Sequence, residues 1–167
     1  DLARNIRSIR LEMRDAALQP KAFKSPATDL NGTLVIKDMR VLSTEDLFFR
    51  YLKEDYTLTG EIDPSPGGLG RFHVKQKKWE ADVRFRNYPD RLEFSTLTLE
   101  SGPSHIGATG TIKHFAAPVL NAEFRAHLVA GRLASDWQDR FAWLKELKLK
   151  GTIDATGTVV GPLKDPA

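Results

Sequence analysis

A chain of 167 residues, 41% hydrophobic and 28% charged, is long enough for one domain with a real core and too apolar to be disordered. Its formal net charge of +3 is too small to argue for nucleic acid or a membrane surface, and the absence of cysteine excludes a disulfide framework and thiolate metal sites while leaving the compartment open. No apolar run approaches the roughly 18 to 20 residues of a membrane span and no signal-peptide pattern opens the chain. The abrupt start at Asp1 reads as a piece of a longer protein, with targeting segments outside it.

Period-two patterning dominates from the beginning. Ile9, Leu11 and Met13 alternate with polar residues, and LNGTLVI (30 to 36) continues the strand-like pattern. STEDLFFRYLKED (43 to 55) breaks the rhythm, because its apolar residues cluster; it is expected to be a short helix capped by Ser43. DPSPGG (63 to 68) is a turn, and GGLG (67 to 70) lacks the lysine and hydroxyl of a phosphate loop, so it is expected to be a hairpin turn leading into FHVKQ. In WEADVRFR, Trp79, Ala81, Val83 and Phe85 fall on one face and Glu80, Asp82, Arg84 and Arg86 on the other, the signature of a half-solvated antiparallel strand.

RLEFSTLTLES also alternates, but its apolar set shifts from Leu92 and Phe94 to Leu97 and Leu99, which predicts a β-bulge near Ser95 or Thr96. After the turn at SGPS, GATGTIK places Ile106, Ala108, Gly110 and Ile112 on one face, where small residues let a sheet curl or leave space above it. LNAEFRAHL sets Leu120, Ala122, Phe124, Ala126 and Leu128 against Asn121, Glu123, Arg125 and His127. LASDWQDRFAWLKEL has helical spacing, with Leu133, Trp137, Phe141, Leu144 and Leu147 on one face and a capping box from Ser135 to Gln138. Trp143 lies off that stripe, where it could cover the mouth of a groove or touch a membrane.

An internal repeat links these elements. YLKEDYTLTGEID (51 to 63) matches WLKELKLKGTID (143 to 154) with one insertion, and upstream Ser43 aligns with Ser135 and Phe49 with Phe141, at an offset of 92 before the gap and 91 after it. The expected organisation is the tail of one unit (residues 1–42), a complete unit (43–134) and the start of another (135–167), all in one continuous curled sheet. Gly32, Gly60, Gly110 and Gly151 are expected to supply the same bend in each unit.

RLEFSTLTLESGPSHIGATGTIKHFAAPVLNAEFRAHL, followed by a helix and then LKGTIDATGTVVGPL, resembles the AsmA-like and TamB-like proteins of Gram-negative envelopes, best from about Arg91 to Leu163. The resemblance implies an all-β fold with one or two short helices: a curled antiparallel sheet, the β-taco or repeating β-groove, with an apolar concave lining. It implies a periplasmic protein anchored in the inner membrane through segments outside this chain. Phospholipid acyl chains are then the partners, moved between inner and outer membranes, and the alternative is a chaperone-like module pairing with strands of outer-membrane proteins during assembly. The candidate lining is Trp79, Val83, Phe85, Ile106, Ala108, Gly110, Ile112, Leu120, Phe124 and Leu128.

Little else suggests chemistry. His73, His105, His114 and His127 have no metal-ligand spacing and are expected on the surface, serine occurs in no nucleophile-elbow context, and neither an enzyme nor a cofactor is expected. Asp82, Glu93 and Glu123 are accompanied by Arg84, Arg86, Arg91 and Arg125, the pattern of cross-strand ion pairs on a solvated face. KQKK (75 to 78) beside Phe72, Trp79, Phe85 and Tyr88 has the basic and aromatic mixture that suits single-stranded nucleic acid. Trp79 and Phe85 nevertheless face away from Arg84 and Arg86, so no nucleic-acid partner is expected and the lysines are read as guards of an exposed hairpin.

Overall fold

The computed structural model describes residues 8–19, 25–38, 40–132 and 150–163. Ten strands follow one another: β1 (Ser8–Leu18), β2 (Ala27–Lys37), β3 (Val41–Tyr51), β4 (Glu54–Ile62), β5 (Gly68–Gln76), β6 (Glu80–Asn87), β7 (Arg91–Ser101), β8 (Ser104–Lys113), β9 (Val119–Val129) and β10 (Thr152–Pro162). Each is antiparallel to the next, and their spatial order is their chain order. Among the described residues the sheet is not closed, and β1 and β10 are its outermost strands.

Register sorts the side chains onto two faces, because residues directly opposite one another across a ladder point the same way. One row reads Thr44, Gly60, Phe72, Val83, Leu97, Ala108, Phe124, Gly157 from β3 to β10. The next reads Leu42, Ile62, Gly70, Phe85, Phe94, Gly110, Ala122, Val159. The other face carries rows such as Thr59, His73, Asp82, Thr98, Gly107, Arg125, Thr156. Phe85, Phe94 and Ala122 form a buried cluster on the apolar face, with Ile62, Phe72, Val83, Leu92, Ala108, Ile112 and Leu120 packed around it.

The sheet curls towards that apolar face. A Cβ added to Gly60 would meet the Arg71 carbonyl oxygen at 2.3 Å and the Phe72 Cα at 2.9 Å; one added to Gly110 would meet the Asn121 oxygen at 2.2 Å and the Ala122 Cα at 2.7 Å. The neighbouring backbone has thus folded over the space a side chain would take, which only glycine permits. Each of these glycines faces a strand with a ladder irregularity, Gly60 opposite Thr44 before the shift to Leu47, and Gly110 opposite Phe94 before the shift to Leu97. The bulge expected near Ser95 or Thr96 is present: Phe94 and Leu97 re-enter the same face with an extra residue between them.

Several expectations need correction. The stretch 43–55 is no helix but most of β3, a two-residue turn and the start of β4. Phe48, Phe49 and Tyr51 favour a pleated surface, and Phe49 stacks on Tyr56 with ring centroids 5.2 Å apart. The expected helix from Ser135 to Leu147, with Trp143, lies outside the described residues. In GGLG only Gly67, at φ +77°, belongs to the turn, whereas Gly68, Leu69 and Gly70 are in β5. Gly70 is needed there because the Phe85 ring lies where its Cβ would be.

The four glycines are not equivalent either. Gly151 has φ +91° ahead of β10 and nothing within 4 Å of an added Cβ, while Gly60 and Gly110 are pressed strand residues. What the described residues do carry is a correspondence fifty positions apart. Leu42, Thr44 and Leu47 pair with Ile62, Gly60 and Leu58, as Leu92, Phe94 and Leu97 pair with Ile112, Gly110 and Ala108. The β3–β4 hairpin is thus repeated in β7–β8.

Candidate functional site

The register gathers nine of the ten expected lining residues on the apolar face. Val83 lies beside Phe72 and Leu97, Phe85 beside Gly70 and Phe94, and Ala108 beside Leu97 and Phe124. Ile106 is opposite Leu99 and Ala126, Ile112 opposite Leu92 and Leu120, Gly110 opposite Phe94 and Ala122, and Leu128 opposite Ile153. Trp79 stands apart, because β6 starts at Glu80; its indole instead meets the buried Tyr56 ring edge-on, with centroids 5.9 Å apart, at one margin of the face.

This face is covered only in part. Among the described residues no large side chain is fully buried, and Leu97, Val159 and Ile153 remain 40%, 48% and 47% exposed. Packing relies on fitting large against small across the ladder: the Phe85 ring over Gly70, the Phe124 ring over Gly157 and the Phe72 ring against Gly60. Phe72, Phe94, Leu97 and Leu99 belong to the same surface and were missed from the sequence as lining residues. The signal that could have found them was the bulge itself, which returns Leu97 and Leu99 to the face of Leu92 and Phe94.

A shallow depression of about 760 Å³ is lined by Leu97, Ala108, Phe124 and Gly157 together with Thr96, Thr98, Gly107, Thr109, Glu123, Arg125, Thr156 and Thr158.

The polar face is a field of short-range pairs. His127 Nδ1 lies 2.7 Å from Asp154 Oδ1 and His73 Nδ1 3.1 Å from Asp82 Oδ1, while the rings of His105 and His127 stack at 5.5 Å. His114 is in the β8–β9 turn with φ 59°. No three His, Cys, Asp or Glu side chains gather as a metal site among the described residues. The ion pairs differ from those expected: Arg91 pairs with Glu93 on its own strand at 2.8 Å, and the Arg86 guanidinium donates to the Gly67 carbonyl at 3.1 Å. Lys77 and Lys78 sit at the β5–β6 turn between two interior strands, not on a sheet edge.

At the rim, Asp63 accepts hydrogen bonds from the Arg40 guanidinium and from the hydroxyl and backbone N–H of Ser65, which holds its carboxyl far below the usual carboxylate range. This is the asparagine-like turn that DPSPGG encodes. Among the described residues no helix is long and apolar enough to cross a membrane. Compared with known proteins, the chain matches no family model, no curated sequence and no solved structure.

Proposed function

We propose that the apolar face is a lipid-binding groove, and that the chain is part of a longer, repeating, membrane-anchored periplasmic protein that carries phospholipid acyl chains between membranes. What supports the reading is the combination of a continuous apolar surface from β3 to β10 with the lack, among the described residues, of any fully buried large side chain. A single-layered sheet leaves one face without a second layer to complete its core. Acyl chains supply that layer, at about 25 cal/mol for each Å² of apolar surface removed from water. No bond is made or broken. The glycines set the curl, and the half-exposed Leu97, Phe124 and Val159 are the surfaces on which a chain rests.

The test is native mass spectrometry with lipid extraction, on protein expressed in the periplasm and purified without detergent. Stoichiometric phospholipid is expected, and it is lost in Phe124→Asp and in the milder Leu97→Asp, which alters a side chain already 40% exposed. Arg125→Asp, on the other face, retains it. Folded protein without lipid, or lipid unchanged in both apolar-face variants, overturns the proposal.

A further inference from the structure

We propose that His105 and His127 together bind a divalent late transition-metal ion, copper or zinc, between β8 and β9, with Asp154 of β10 orienting His127. No linear motif joins the two histidines. The register nevertheless sets them directly opposite one another, with Asp154 directly opposite His127 on the next strand. Their rings stack on the polar face with centroids 5.5 Å apart and an interplanar angle of 27°. With Asp154, Arg125 and Thr156 they line a shallow hollow of about 420 Å³, roomy enough for an ion and its waters.

Each group has a distinct part. Asp154 Oδ1 lies 2.7 Å from His127 Nδ1. A carboxylate so placed accepts the Nδ1–H, which fixes the tautomer and leaves Nε2 as the nitrogen that ligates; metal-binding histidines are commonly held this way. His105 is exposed and, among the described residues, is held by the ring stack alone. A metal–nitrogen bond is about 2.0–2.1 Å long, so two nitrogens on one ion lie about 4 Å apart or less. The exposed His105 side chain is the one that turns to close that gap, while His127 stays on Asp154. Water completes the shell, and imidazole donors suit copper and zinc better than calcium or magnesium. The surrounding charge favours a cation: Glu100 stands opposite His105 on β7 and Asp154 opposite His127, against Arg125 two positions along β9.

His73 supplies the contrast. Its Nδ1 lies 3.1 Å from Asp82 in the same kind of pair, but its ladder neighbours are Thr59 and Asp82, so no second imidazole faces it. The proposed site is on the face opposite the apolar one and does not depend on what that face binds.

Isothermal titration calorimetry and electron paramagnetic resonance of the untagged chain with Cu²⁺ test the proposal, with Zn²⁺ as a second titrant. One ion per chain is expected, with two imidazole nitrogens coupled to copper. His105→Ala and His127→Ala each weaken binding and lose the two-nitrogen signal. Asp154→Ala keeps both nitrogens and weakens binding by about 10–100-fold. His73→Ala changes neither readout. A folded chain that takes up no ion, copper held by fewer than two imidazoles, or binding indifferent to His105→Ala overturns the proposal. An equal loss in His73→Ala also overturns it, because it would mean adventitious binding to scattered surface histidines.

Discussion

Gly107 and Gly110 lie three residues apart on β8 and tolerate a methyl group very differently. Gly107 has nothing within 4 Å of an added Cβ, whereas Gly110 would collide with the backbone of β9. Gly110→Ala is expected to destabilise by about 1–3 kcal/mol, the range for overpacking in which neighbouring backbone must move. Gly107→Ala is expected to stabilise by about 0.5 kcal/mol through the unfolded chain's lost freedom. Urea denaturation of the two variants separates these outcomes. The β3–β4 turn offers a gain of the same kind. Leu52 and Lys53 hold φ of 51° and 67°, the left-handed pair of a two-residue hairpin that favours Asn-Gly. Leu52→Asn/Lys53→Gly is expected to add about 1–2 kcal/mol, read as a rise in thermal midpoint.

At the scale of elements, β3 and β7 explain what was legible in the sequence and what was not. Both place apolar-face residues at spacings of two, three and two: Leu42, Thr44, Leu47, Phe49 and Leu92, Phe94, Leu97, Leu99. In β7 the flanking Thr and Ser made the three-residue step readable as a bulge. In β3 the acidic Glu45 and Asp46, followed by contiguous Leu47, Phe48 and Phe49, made the same step imitate a helical turn. Alternation alone located β6, β8 and β9 and placed their candidate residues on one face. It could not show that the curl brings the β4 residue Ile62 against the Phe85 cluster, because that depends on Gly70 lying between them. The β4–β5 turn carries a pH signature. Asp63 ionises more readily folded than unfolded, so its contribution is complete above the ordinary aspartate pKa of about 4 and is lost as pH falls below it. Asp63→Asn is expected to flatten the fall in urea midpoint between neutral and acid pH.

Among the described residues, every strand pairs with the strands next to it in chain order and with no other. Stability is then distributed as in a linear array, where each element is supported by those beside it. Hydrogen exchange is expected to show greatest protection in β5 to β8, declining towards β1 and β10. Uniform protection with a single all-or-none transition would contradict this. The strictly sequential order also bears on synthesis. As the chain leaves the ribosome, each described strand from β2 on finds its partner in the described strand made before it, so the sheet grows in chain order. A protein built this way can be lengthened by further hairpins, such as the pair already duplicated fifty residues apart, without changing how the earlier ones fold.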